Sequence, residues 1–146
     1  MRKYFTSVIL VFWLVTLGCG PGGSDGLVET RRDEGKLKLL GIEYGKFVAL
    51  NNNVPPRDQE VFVKYLRRRQ SRLAGYGLKS MDELLVSPRE GQKMIVVQDG
   101  KKGIMSPDGF PWAAFEETGV GGTRIVVSGR GTIVEMSEDE FERTFK

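Results

Sequence analysis

The hydrophobic pattern changes period near Ser87, and that single change limits the fold more than any other feature of the chain. Before it, apolar residues recur at three- and four-residue steps; after it, short β-rich runs are broken by glycine. Leu37, Leu40, Tyr44, Phe47 and Val48, interleaved with Lys36, Lys38, Glu43 and Lys46, predict an amphipathic helix from Lys36 to about Leu50. Asn51-Asn52-Asn53 and Pro55-Pro56 end it. A second helix is predicted from near Pro56, with Asp58 and Glu60 at its positive end, through Phe62, Tyr65, Leu66 and Leu73 to the terminators Gly75 and Gly77. Ser80, with Glu83 three residues later, has the pattern of a capping box that opens a short turn through Leu85.

Beyond the turn Ser87–Gly91, four strands are expected at Lys93–Gln98, Pro111–Glu116, Thr123–Ser128 and Gly131–Met136. The last two are joined across Gly129-Arg130, short enough for a tight hairpin. Ser137 with Glu140 repeats the capping-box pattern and opens a C-terminal helical turn that buries Phe141 and Phe145. The predicted class is therefore α+β: two N-terminal amphipathic helices packed on one face of a small, mainly antiparallel sheet of about four strands, then a short C-terminal helix. Gly41 and Gly45 would allow close packing of helices, and Lys93–Gln98 is an edge strand that could pair with another chain.

The N-terminus carries an address. Arg2 and Lys3 precede an apolar run from Val8 to Leu17, and a small residue, Gly18, precedes Cys19, the sole cysteine. This is the pattern of an export signal, and the run is shorter than the about 20 apolar residues that span a bilayer. Thr16-Leu17-Gly18-Cys19 resembles the lipobox of bacterial lipoproteins, with Thr16 where that pattern usually has leucine. The resemblance implies cleavage before Cys19 and a diacylglycerol on its thiol. Several acyl chains then hold the domain on a membrane, because one chain, at about 0.8 kcal/mol per buried methylene, gives only marginal binding. Gly20, standing where inner-membrane lipoproteins of diderm bacteria carry aspartate, points to the outer membrane. The expected organisation is a signal peptide at 1–18, a lipidated cysteine with a glycine-rich flexible tether at 19–34, and one domain at 35–146.

Leu37-Lys38-Leu39-Leu40-Gly41-Ile42-Glu43-Tyr44-Gly45-Lys46-Phe47, followed by Val54-Pro55-Pro56, resembles a stretch that follows the apolar helix in bacterial pseudopilin-like proteins. The resemblance, shared by the order of a helix and then about four antiparallel strands, implies a pilin-like soluble fold and a component of a secretion or filament complex. No glycine precedes Phe5 and no acidic residue lies in the apolar run, so the processing site of that family is not matched.

Composition excludes several chemistries. With no histidine and its one cysteine taken by lipid, the mature chain has no Ser-His-Asp or Cys-His catalysis and no zinc site of the usual Cys/His kinds. Of 22 basic side chains, Arg2 and Lys3 leave with the signal peptide, so the mature chain is within one charge of neutral against 19 acidic ones. Carboxylate pairs remain as acid–base candidates for a wall hydrolase, at Asp82/Glu83, Glu116/Glu117 and Glu138-Asp139-Glu140-Glu142. Each also fits ordinary structure: a first helical turn, a strand end and a solvated terminal helix. Asp99-Gly100 and Asp108-Gly109 read as turns rather than calcium loops. Gly119, Gly121 and Gly122, followed by a strand, read as a connection rather than a phosphate loop. Phe110, Trp112 and Phe115 read as sheet core rather than an exposed aromatic patch.

The densest charge feature is the run Lys64, Arg67, Arg68, Arg69 and Arg72. Lys64, Arg67, Arg68 and Arg72 are the candidate contacts for an anionic surface, lipid headgroups or an acidic wall polymer, against the plainer reading of a solvated helix face. Taken together, the expectation is a non-enzymatic, exported envelope lipoprotein with no cofactor, serving as a binding or assembly module for an envelope protein or wall polymer. Nucleic acid is not expected as a partner.

Overall fold

The computed structural model describes residues 24–99 and 105–146, with side chains at 24–30 and 73 excepted. Residues 1–23, which include the stretch expected as a signal peptide and Cys19, lie outside the described residues. Helix α1 spans Ser24–Leu50, so residues 24–34, expected as part of the tether, are its first turns. Its end matches the sequence signal. Asn51 donates through Nδ2 to the Phe47 carbonyl at 2.7 Å, and Asn52 and Asn53 both take left-handed backbone (φ 56° and 61°), which asparagine tolerates better than most residues.

Helix α2, Gln59–Arg68, starts on Asp58, whose carboxylate accepts from the Val61 amide at 2.8 Å. The helix expected to continue to Leu73 is divided at Arg69; α3 is the single turn Gln70–Leu73, and a 3-10 turn follows at Ala74–Tyr76. α1 and α2 meet through rings: Tyr44 and Phe47 stand edge-on to Phe62, and Phe47 to Tyr65, with centroids 5.3–5.8 Å apart. The segment Met81–Leu85 is 3-10 helix and buries Met81, Leu84 and Leu85, but Ser80 makes no side-chain cap, which corrects the capping-box expectation there.

The sheet is a four-stranded antiparallel meander in the order β1 (Ile95–Val96), β2 (Trp112–Phe115), β3 (Thr123–Ser128), β4 (Ile133–Ser137). β1 is shorter than expected. Its outer edge is occupied by this chain itself: Met94 bonds to the Leu85 carbonyl at 2.7 Å, Val86 bridges Lys93, and the Asp99 amide reaches Pro56. The edge proposed for pairing with another chain is thus already partly covered.

Register assigns the two faces. Val96, Ala114, Val127 and Ile133 align across the sheet on one side, and Ile95, Phe115, Val126 and Val134 on the other. α1 lies on the first face, where a side chain added at Gly41 would run into Val127 and the Ser128 carbonyl. Helix α4, Glu138–Phe145, lies on the second: Phe141 and Phe145 each sit 4.9 Å from the Phe115 ring. A bulge between Trp112 and Ala114 turns Trp112 to the same side, 6.3 Å from Phe145. The sheet is therefore a middle layer, with the C-terminal helix on the face opposite α1. The C-terminal helix is too short to hold its place alone, and with α1 on the other face the Phe115 side offers it an apolar surface. Its start is the capping box read from the sequence, Ser137 and Glu140 exchanging bonds with each other's amides.

Candidate functional site

The basic run splits in two when it is folded. Lys64, Arg67, Arg68 and Arg72 are exposed, with Lys64 3.9 Å from Glu60 and Arg67 3.6 Å from Asp82. Arg68 and Arg72 have no ion-pair partner among the described residues. Arg69 turns inward instead, because the break after Arg68 rotates it towards α1. It pairs with Glu43 at 2.8 Å and lies over the Tyr65 ring. Glu43 is only 1% exposed, and also accepts from Lys46 at 2.7 Å and Tyr65 at 3.2 Å. Burial and the Glu43 charge push the Tyr65 hydroxyl up to about 12. One carboxylate thus holds two cations and a phenol at the α1–α2 junction.

A second buried carboxylate, Glu116, closes the end of the α1 face. It accepts from the Ser87 hydroxyl, from Arg89 at 2.6 Å and from the Ile125 amide at 2.7 Å. Arg89 extends the network to Glu135 at 2.6 Å. Burial alone would raise Glu116, but the bonds from Arg89, Ile125 and Ser87 outweigh it and hold the carboxyl below its ordinary value. Ser87 is buried beside it.

Several other acidic groups are similarly employed. Asp108 accepts from Ser106, from Ser128 at 2.6 Å and from the Phe110 amide, which tie its turn to the end of β3; those bonds overcome the effect of burial and keep it well below the carboxylate range. Glu138 pairs with Arg124 at 2.9 Å, Glu140 completes the cap of α4, and Glu142 pairs with Lys146. Of the other candidates read from the sequence, Asp82 and Glu83 are half-buried, with Asp82 3.6 Å from Arg67, and Glu117 is exposed beside the buried Glu116. Glu90, which sequence reasoning passed over, receives the Thr118 amide and hydroxyl and the Gly119 amide on one oxygen, fixing the start of the glycine loop. Trp112 and Phe115 are buried as expected, but Phe110 is exposed beneath Arg130 rather than part of the sheet core. Among the described residues, no three or more His, Cys, Asp or Glu side chains converge as a metal site, and no helix is long and apolar enough to cross a membrane.

The concavity with the most mixed chemistry lies between α1 and the segment after α3. It is a groove of about 380 Å³ with Leu39, Ile42 and Leu78 among its apolar lining and Arg32, Lys36, Lys38 and Lys46 as its cations; Tyr76 stands at it, 62% exposed. Arg32 donates to the Gly77 carbonyl at 3.0 Å, which fixes one wall to the other. Arg32, Lys36, Leu39, Ile42 and Lys46 recur at three- and four-residue steps, a stripe missed because Arg32 was assigned to the tether, and Tyr76 and Leu78 reach it only through the reversal of the chain after α2.

No protein-family model, curated protein or solved structure matches this chain.

Proposed function

We propose that this chain is an exported envelope lipoprotein, cleaved before Cys19 and held on a membrane by acyl chains, whose folded domain serves as a non-enzymatic binding or assembly module. The observation that carries the reading is the N-terminal sequence: a basic head, the apolar run Val8–Leu17 and Gly18 before the sole cysteine. Gly20 favours the outer membrane. The employment of Glu43, Asp108, Glu116 and Glu138 in ion pairs and hydrogen bonds supports a binding role over a carboxylate hydrolase. The exposed Arg68 and Arg72, with Lys64 and Arg67 beside them, are the proposed surface for an acidic wall polymer or an envelope protein. Intact mass and membrane fractionation of the native chain beside Cys19→Ser test the anchor. The native chain is expected to carry diacylglycerol and sediment with membranes, and the variant to lose both; equal fractionation and an unmodified native mass would sink the reading.

A second reading, a pilin-related module of a secretion or filament complex, is favoured by α1 lying along a four-stranded meander. Cross-linking on cells separates the two, since a filament subunit yields ladders of itself and a tethered binding module yields other proteins.

A further inference from the structure

We propose that the groove between α1 and the Tyr76–Leu78 segment seats the headgroups of anionic phospholipids in the membrane that carries the anchor. The choice of occupant rests on the lipoprotein reading, through reach: five residue steps lead from Cys19 to Ser24, about 17 Å at most if fully extended, and Arg32 follows after about 12 Å of helix. The groove therefore lies within range of the bilayer to which the chain is fixed. Its chemistry is that of a lipid interface. Arg32 and Lys36 stand at one end and Lys46 at the other, Leu39 and Ile42 lie between them, and Tyr76 presents a ring with a polar tip.

Charge also favours an anion. The carboxylate that Lys46 meets, Glu43, is shared with Arg69 outside the groove, and Arg32 has only a carbonyl as partner among the described residues, so the cations of the groove are not fully balanced. No carboxylate lines the groove. Lys36 and Lys38 meet Asp33 and Glu34 at 3.5 and 3.6 Å, long contacts that a phosphate can displace. A phosphodiester between Arg32 and the lysines would leave its glycerol over Leu39 and Ile42. Attraction of this kind fades within a Debye length, about 8 Å at physiological salt, so it acts only once the tether has brought the domain down.

The test is lysine acetylation, read residue by residue by mass spectrometry, on the full native chain with vesicles of phosphatidylcholine alone or doped with phosphatidylglycerol. Lys36, Lys38 and Lys46 are expected to react about fivefold more slowly on the doped vesicles, the factor equivalent to about 1 kcal/mol per cation at an anionic surface, and to recover at high salt. Lys146, on the helix across the sheet, should not change. Equal reactivity on both vesicles overturns the proposal, as does equal protection of Lys146, which would mean adsorption without orientation. Protection by added polyglutamate and by neither vesicle would assign the groove to a soluble acidic partner and overturn it too. Intact mass of the same sample keeps the two readings apart: an acylated chain with unprotected lysines loses the groove alone, and an unacylated chain protected by anionic vesicles loses the anchor alone.

Discussion

On one face of the sheet α1 lies against bare backbone, Gly41 and Gly45 set over the carbonyls of Ser128 and Gly129; on the other, α4 is held by a stack of rings, Phe141 and Phe145 against Phe115 and Trp112. A helix of 27 residues can be positioned by contact along its length, where the absence of side chains sets the distance. One of 8 residues has little length to use, and needs large side chains and a good cap. The two arrangements fail in opposite ways, since the first cannot accept added atoms and the second cannot lose them.

The largest effect expected is on the ring side. Phe141 is 4% exposed and touches Phe115 and Phe145 at 4.9 and 4.8 Å. Phe141→Ala should cost about 3–5 kcal/mol in denaturant unfolding, much of it from the cavity left beneath α4. If the loss is below about 1 kcal/mol, α4 contributes little and the contrast between the faces fails.

Next is the glycine side. A Cβ at Gly45 would strike the Gly129 carbonyl, which is backbone and cannot rotate away. Gly45→Ala should cost about 3 kcal/mol, although alanine is the better helix former and the same change at Gly35, where a Cβ meets nothing, should be neutral or stabilising by up to about 1 kcal/mol. Similar midpoints for the two alanine variants would show that α1 slides on the sheet rather than locking to it.

Acid sharpens the comparison further, because the α1 face closes on a charged network. Glu116 titrates below its ordinary value in the folded chain, so the unfolded chain takes up its proton first as pH falls. Its contribution is complete above the unfolded carboxylate value of about 4.3 and is lost as pH drops through the folded one. Denaturation midpoints of the native chain should hold between pH 7 and pH 5 and then decline, by the linkage that governs carboxylates paired in the native state. Glu116→Gln should start lower and decline less steeply; an unchanged slope would place the acid response elsewhere, Asp108 being the next candidate.

These same residues mark what was legible in the sequence. Strand Thr123–Ser128 was read at its observed bounds, because it lies between glycine loops and its β-branched run is a local property. The C-terminal helix and its buried Phe141 and Phe145 were read from a cap and a spacing of four. Which face that helix covers was not readable, since a bulge at Trp112, a matter of pairing with β3, decides where the rings point. Nor was the inward turn of Arg69. In the sequence it is one of five cations, and only a break of one residue after Arg68 brings it to Glu43. The burial of Glu43 and Glu116 was not readable because the arginines that hold them, Arg69 and Arg89, lie 26 and 27 residues away. The groove was half legible: the α1 stripe is local, but the Tyr76 wall is set by tertiary packing.

The smallest effect concerns two serines that look alike in the sequence. Ser80 and Ser137 each precede a glutamate by three residues, yet only Ser137 accepts from the amide at that position and only Glu140 reaches back to the serine. The difference follows from what comes next. After Ser137 a regular α-helix leaves its first amides without partners, so a hydroxyl there satisfies one. After Ser80 the chain tightens into 3-10 geometry, and the Glu83 amide turns to the Ser80 carbonyl at 3.4 Å instead. Ser137→Ala should therefore cost about 1 kcal/mol, and Ser80→Ala less than about 0.5 kcal/mol. Hydrogen exchange at the Glu140 amide gives a local check, expected to quicken in the first variant and stay unchanged in the second. If Ser80→Ala proves as costly as Ser137→Ala, the Met81–Leu85 segment depends on a cap after all, and α4 would no longer stand out as the element that needs one.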